Sequence, residues 1–190
     1  MKRLLHDINR CTVCEPHLTD GVRPVVQASS GSRILIIGQA PGRKVHKSGV
    51  PWDDASGDQL RSWLGVDKEL FYDPRIFAFM PMGFCFPGSG KTGDLAPRKE
   101  CAPLWHEAML SEMPSVELTL LIGLYAQQKY LGPTKQNLTE HVKAFRTYLP
   151  NFLPLPHPSP RNRHWQSKNP WFKAEVLPEL ESQIQSILKT

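Results

Sequence analysis

The chain has 190 residues, of which 40% are hydrophobic and 22% are charged, and its formal net charge is +5. This length and composition fit one folded domain over residues 1–190 and exclude a disordered chain. The apolar runs are too short to cross a bilayer, and the N-terminus lacks the apolar stretch of a signal peptide. We therefore expect a cytoplasmic protein with no membrane partner. We also expect a monomer. The modest positive charge is compatible with nucleic acid but does not indicate it alone.

Apolar segments alternate with amphipathic ones along the chain. The segment RILIIG at residues 33–38 is apolar on both alternating faces, which predicts a buried parallel strand. Three further strands are predicted over residues 75–86, 117–124 and 151–156. Helices are predicted over residues 56–64, 97–113 and 138–148, and in a C-terminal stripe of Leu177, Leu180, Ile184 and Leu188. This order predicts an α/β fold whose central four-stranded parallel sheet is covered on both faces.

Three loop segments follow predicted strands directly, namely residues 38–42, 81–90 and 157–162. In parallel α/β sheets, ligands bind outside the carboxyl ends of the strands. We therefore predict that these segments form one shared site. The alternative is that Gly and Pro simply collect in loops.

The chain has four cysteines, Cys11, Cys14, Cys85 and Cys101. The first two form a C-x-x-C pair, and the last two are separated by fifteen residues. A disulfide framework does not suit a cytosolic chain of this size. Four thiolates can close a zinc site or hold a 4Fe–4S cluster, and the wide second spacing favours the cluster. The alternative is that Cys85 and Cys101 are small core residues.

The segment GSGKT at residues 88–92 resembles part of a phosphate-binding P-loop. The full motif needs a glycine where this chain has Cys85, and a helix should begin near Lys91. The following Gly93 and Pro97 argue against that helix. Nucleotide binding is therefore the weaker interpretation.

Two motifs near opposite ends of the chain resemble those of uracil-DNA glycosylases. The first is GQAPG at residues 38–42, followed by GVPW at 49–52 and by Ser56-Gly57; the second is HPSP at 157–160. The four cysteines resemble the cluster ligands of the iron–sulfur, family-four branch in order and approximate spacing. CFPG at residues 85–88 and ECAPL at 100–104 also resemble that branch. The resemblance spans nearly the whole chain, and its specificity comes from the motifs occurring in this order.

The resemblance implies a three-layer α/β/α fold and a structural 4Fe–4S cluster on Cys11, Cys14, Cys85 and Cys101, with zinc as the alternative. It also implies DNA with a flipped damaged base as partner. Such an enzyme breaks the N-glycosidic bond through a cationic sugar and an anionic base.

By the same resemblance, His157 donates a hydrogen bond to the base oxygen, and Trp52 stacks on the flipped base. The alternatives are a histidine that caps a strand end and a tryptophan of the core. The turn after the first strand is expected to contact the base through its backbone, at Gly38, Ala40, Pro41 and Gly42.

Several positions depart from the family pattern. The turn has Gln39 and Ala40 where family members have carboxylates, and a Gln amide positions a water without taking its proton. Asp53 and Asp54 are candidates for the missing charge; the alternative is a solvated turn and a helix cap. Pro81 falls near the position that reads uracil in the family, and its side chain cannot do so.

The segment over residues 161–173 contains four Lys or Arg, no acid and three aromatic residues. Basic side chains contact DNA phosphates, and the superfamily places an insertion loop here. Ser159, Arg161, Asn162 and Arg163 are therefore candidate DNA contacts; the alternative is a solvated basic loop.

Together these features predict a monofunctional DNA glycosylase that removes uracil or a related deaminated base. Because carboxylates are missing from the turn, the alternative is a catalytically silent or altered member that binds damaged or single-stranded DNA.

Overall fold

A parallel sheet forms the centre of the computed structural model, which describes residues 1–91, 93–132 and 135–189. Its strands are β1 (Ile34–Ile37), β2 (Phe77–Phe79), β3 (Leu118–Ile122) and β4 (Phe152–Leu155). They pair in the order β2-β1-β3-β4, and every pairing is parallel. The predicted four-stranded parallel sheet is confirmed.

Short helices connect the strands and flank the sheet. They are α1 (Lys2–Asn9), α2 (Arg43–Ser48), α3 (Ala55–Leu64), α4 (Lys68–Phe71), α5 (Glu107–Ser111), α6 (Leu124–Tyr130), α7 (Leu138–Lys143), α8 (Arg163–Lys168) and α9 (Leu177–Lys189). π-Helical turns at Ala102–His106 and Phe172–Val176 precede α5 and α9. Within the described ranges, no helix combines the length and the apolar character that crossing a membrane requires.

Alternating residues of each strand enter two different cores, which makes the fold three-layered. Ile34 and Ile36 of β1 pack into one core with residues of α3, α7 and α9. Leu35 and Ile37 pack into the other core with residues of α1, α5 and α6. Because successive side chains of a strand point to opposite faces, a run that is apolar at every position requires cover on both sides.

The predicted second strand over residues 75–86 is much shorter in the structure. Only Phe77–Phe79 belong to it, although the Met80 amide still donates to the Ile36 carbonyl at 3.0 Å. The chain then follows the turn after β1, where the amides of Met82 and Gly83 donate to the carbonyls of Gly38 and Gln39 at 2.9 and 3.0 Å.

Two predicted helices are also shorter. The one predicted over residues 97–113 begins only at the π-helical turn of Ala102–His106, where Pro103 occupies a first-turn position that needs no N–H donor. The one predicted over 138–148 ends as an α-helix at Lys143 and continues as a 3₁₀ turn, Phe145–Thr147.

A tight turn before α3 fixes Trp52 in a strained conformation. Trp52 has φ of +57°, and it is the one non-glycine residue with positive φ in the described parts of the chain. Asp54 caps α3, accepting from the amides of Ser56 and Gly57 at 3.0 and 2.9 Å. A Cβ at Gly57 would lie 1.7 Å from the Trp52 carbonyl oxygen, so α3 packs directly on the backbone of Trp52.

A buried histidine supports the loop after β2 from behind. His106 Nε2 lies 3.0 Å from the Pro81 carbonyl oxygen, and Nδ1 lies 2.6 Å from the Tyr130 hydroxyl. Since the carbonyl only accepts, Nε2 carries the proton and Nδ1 accepts from Tyr130. The ring is nearly parallel to the ring of Phe84, with centroids 5.7 Å apart, and burial lowers the pKa of His106 to about 4.

We expect Gly57→Ala to lower the free energy of unfolding by about 3 kcal/mol, because the new methyl group forces the Trp52 backbone to move. The matched control is Gly31→Ala, whose Cβ would lie 3.8 Å from Ser29 Oγ, an ordinary van der Waals distance. Urea unfolding of both variants measures the difference. Equal losses in the two would contradict the close packing of α3 on Trp52.

The second prediction concerns His106. The unfolded imidazole takes up a proton below its ordinary pKa of 6.5, and the folded one only near 4. This group should therefore remove roughly 3 kcal/mol of stability as the pH falls from 6.5 to 4. We expect His106→Gln to show a smaller loss over this range in urea unfolding, and the exposed His6→Gln to behave as wild type. The same pH dependence in all three proteins would contradict the buried neutral imidazole.

Candidate active site

A cavity of about 490 Å³ opens at the carboxyl edge of the sheet. The segments that follow β1, β2 and β4 all line it, as the sequence predicts. Most predicted site residues are among its lining: Gly38, Gln39, Ala40, Pro41, Gly42, Trp52, Asp54, Pro81, His157, Ser159, Arg161 and Asn162. Asp53 and Arg163 are not part of that lining.

The loop after β4 holds His157 through its own side chains. The Asn162 amide donates to the His157 carbonyl at 2.8 Å, and Ser159 Oγ accepts from the Arg161 amide at 3.2 Å. The imidazole itself forms no hydrogen bond with any residue in the described ranges, and its ring lies 5.9 Å from the Trp52 ring. A ring nitrogen is thus left to bind a ligand in the cavity.

Burial lowers the pKa of His157 below its usual 6.5, and the carboxylates of Asp54 and Asp94 oppose this shift. Burial is the largest cause, so the imidazole is neutral at pH 7. A neutral imidazole with one N–H can still donate a hydrogen bond to an oxygen that gains negative charge.

The ring of Trp52 combines the two roles that the sequence left open. It packs against the core on the α3 side of the sheet and also lines the cavity. A Cβ at Gly38 would lie 3.0 Å from Trp52 Cζ2, so the glycine leaves room for the ring to lie across the end of β1.

Of the side chains considered for handling water, two lie in the cavity. Asp54 both caps α3 and lines the cavity. Gln39 also lines it, and its Nε2 donates to the Leu95 carbonyl at 3.3 Å. Asp53 faces away, with one carboxylate oxygen 4.0 Å from Lys68 Nζ.

A second carboxylate in the cavity, Asp94, was missed by sequence reasoning. Ser89 Oγ donates to it at 3.3 Å, and a Cβ at Gly42 would lie 3.5 Å from Asp94 Oδ2. Asp94 follows the GSGKT segment, and no spacing rule connects it with His157. Only the folding of this loop over the turn after β1 reveals it.

Residues 88–91 of the GSGKT segment do not lead into a helix in the part of the chain that the structure describes. Ser89 and Asp94 form an isolated antiparallel bridge, and the Gly90 amide donates to the Gly93 carbonyl at 2.6 Å. Residues 93–100 are not helical, and Thr92 lies outside the described residues. The helix that a P-loop needs is therefore missing from the part of this segment that the structure describes.

The basic segment after the second motif serves partly as structure. Trp165 packs against Trp171 and Phe172 at ring distances of 5.8 and 5.5 Å. Its aromatic residues are therefore engaged with each other, while Arg161 and Arg163 stay exposed. Arg161 lies at the cavity, where a Cβ at Gly93 would be 3.3 Å from its Nη1.

The four cysteines line one small cavity between α1, the loop after β2 and the start of the Ala102–His106 turn. All four are free thiols. Burial, together with the neighbouring cysteines, raises the pKa of Cys85 to about 11 and that of Cys101 to about 12. In the described ranges, no group of three Cys, His, Asp or Glu side chains is arranged to hold a metal ion. The four cysteines have the side chains that a zinc ion or a 4Fe–4S cluster binds, but the positions of their sulfur atoms do not form an ion site.

The sequence matches a family model over most of its length. The model describes the uracil DNA glycosylase superfamily, and it matches residues 26–181. This range contains the turn after β1, Trp52, Asp54, Asp94 and His157, and it begins after Cys11 and Cys14. With its three-layer fold and its cavity at the carboxyl edge of the sheet, the chain belongs to the uracil DNA glycosylase superfamily.

Proposed function

We propose that this protein is a monofunctional DNA glycosylase that uses water to remove uracil or a related deaminated base. Membership of the superfamily supports a glycosylase-type function on DNA. The observation that carries the proposal is the imidazole of His157, which faces the cavity beside the Trp52 ring with two carboxylates near it.

In the proposed mechanism, the flipped base enters the cavity and stacks on Trp52. His157 donates to a base oxygen, and this bond strengthens as the base departs with the electrons of the N-glycosidic bond. The backbone of residues 38–42 provides further contacts to the base. Because Pro81 has no donor or acceptor in its side chain, we assign reading of the base to main-chain groups.

The turn after β1 contains no carboxylate, and we assign its role to Asp54 and Asp94. Two backbone amides fix Asp54, so we assign to it the positioning of the water that adds to the sugar carbon. Asp94 adds negative charge that stabilises the cationic sugar and is available to accept the proton of the water. Ser159, Arg161 and Asn162 also line the cavity, and we assign to the exposed Arg161 a contact with a DNA phosphate.

The function is tested with end-labelled oligonucleotides that each carry one uracil, hypoxanthine or xanthine, followed by alkaline cleavage of abasic sites. We expect cleavage at one of these lesions. His157→Ala should lower the single-turnover rate at least about a hundredfold while DNA binding is kept, because one donor to the departing base is lost. Asp54→Asn and Asp94→Asn should also slow excision, whereas the neighbouring Asp53→Asn should not.

Two outcomes would contradict this proposal. Wild-type rates in His157→Ala would remove the role of the imidazole. No cleavage of any lesion by a protein that still binds DNA would favour the alternative function, a catalytically silent member that binds damaged DNA.

We also propose that Cys11, Cys14, Cys85 and Cys101 hold a structural 4Fe–4S cluster. Their arrangement around one cavity supports this proposal. Such a group would join the N-terminal segment to the loop after β2 and to the start of the Ala102–His106 turn. It takes no part in the proposed reaction, since the active-site lining contains none of the four cysteines.

Protein purified without oxygen should be brown and contain roughly four irons per chain. Cys85→Ser and Cys101→Ser should lose iron and thermal stability, whereas His17→Ala, at an exposed position near Cys14, should keep both. Metal analysis and the visible absorption spectrum provide the measurement. A colourless protein with one zinc per chain would contradict the cluster in favour of zinc.

A further inference from the structure

A second cavity of about 490 Å³ lies beside the active site and has no role in the reaction described above. Pro81 lines the active-site cavity and the next residue, Met82, lines the second one. Likewise Leu95 lines the first cavity and Ala96 the second. At both places consecutive residues line the two cavities, so the cavities adjoin each other.

The walls of the second cavity are mainly apolar, with Met82, Pro97, Pro103 and Tyr125 among the lining residues. Tyr125 is 37% exposed. A mainly apolar cavity with a partly exposed aromatic ring is typical of a ligand-binding site.

Positive charge surrounds this apolar surface. Arg98, Lys99 and Lys129 line the cavity, and no acidic residue is among the described lining. Arg98 is neutralised by Glu100, with Nη2 2.5 Å from Oε1. Lys99 and Lys129 form no ion pair with other residues in the described ranges, so both can contact an anion. A flat apolar group carrying phosphates matches this arrangement.

We propose that the second cavity binds an unpaired base one or two nucleotides from the flipped one, with the base against Tyr125 and its phosphates near Lys99 and Lys129. This proposal rests on the proposed function and specifies its substrate as single-stranded DNA. In a duplex the neighbouring base stays paired and stacked, whereas in a single strand it can turn towards an aromatic ring at lower cost.

The test uses single-stranded oligonucleotides with a tetrahydrofuran abasic analogue at the lesion position, which makes binding independent of the base that is removed. Four further oligonucleotides each carry a second abasic spacer, one or two positions to either side. For wild type, we expect one spacer position to weaken binding about tenfold, because the stacked base is lost. Tyr125→Ala should weaken binding of the parent oligonucleotide by a similar factor and lose its sensitivity to that spacer. Tyr125→Phe should restore both.

The control is Leu110→Ala, because Leu110 is exposed on α5 but does not line the cavity. It should bind and respond as wild type. Lys99→Ala and Lys129→Ala should each reduce the slope of log affinity against log salt by roughly 0.7. Lys143→Ala, on α7, should leave the slope unchanged.

Wild-type affinity in Tyr125→Ala, or equal response to all four spacers, would overturn the proposal. Binding of an acidic, apolar peptide at Tyr125 in place of DNA would overturn it too and would assign the cavity to a protein partner. The excision assay is read separately. If Tyr125→Ala loses its sensitivity to one spacer but wild type excises no base, only the glycosylase activity is rejected. If wild type excises a base but Tyr125→Ala responds to the spacers as wild type does, only the second cavity is rejected as a base site.

Discussion

The burial of both faces of the sheet is the constraint on which the site depends. Every residue of β1 and β3 is buried, so helices must cover each face, and each parallel strand must be connected to the next by a crossover. All carboxyl ends then lie at one edge, where the loops can approach each other. The turn after β1 is hydrogen-bonded through its carbonyls to the loop after β2, and His106 holds that loop from the opposite side. The sheet and the buried His106 therefore hold in place the turn after β1 and the loop after β2, which line the cavity.

Within this frame, Trp52 shows how local strain is tied to close packing. Its positive φ is unfavourable for a residue with a side chain, and the surrounding structure has to compensate. α3 begins immediately after it, with Asp54 as cap and Gly57 in contact with the Trp52 carbonyl. The same turn that places an aromatic ring at the end of β1 also places a carboxylate beside it. Under the proposed function, the contact of α3 with the Trp52 backbone thus positions both Trp52, which stacks on the base, and Asp54, which positions the water.

The charges around His157 come from segments that are far apart in the chain. Asp54 belongs to the start of α3, and Asp94 to the loop that follows GSGKT. The turn itself contains Gln39 and Ala40, so it supplies no charge of its own. Both carboxylates raise the pKa of His157, yet burial outweighs them and keeps the ring neutral at pH 7. A neutral donor next to two anions suits a reaction in which the sugar becomes cationic and the base becomes anionic.

The sequence by itself determined the architecture and most of the cavity lining. Continuous apolar strands require a doubly covered parallel sheet, and loops with Gly and Pro directly after the strands must meet at its carboxyl edge. Strand and helix ends were less predictable: β2 ends at Phe79 within a longer apolar run, and the helical turn that contains Pro103 begins only at Ala102. Only the tertiary structure separated Asp54 from Asp53, since adjacent residues of a tight turn point in different directions. It alone brought Asp94 to His157, and it alone showed that Trp165 packs on Trp171 and Phe172. Asp94 and His157 belong to distant segments, so no local sequence pattern indicates that they meet; the folding of the whole chain brings them together.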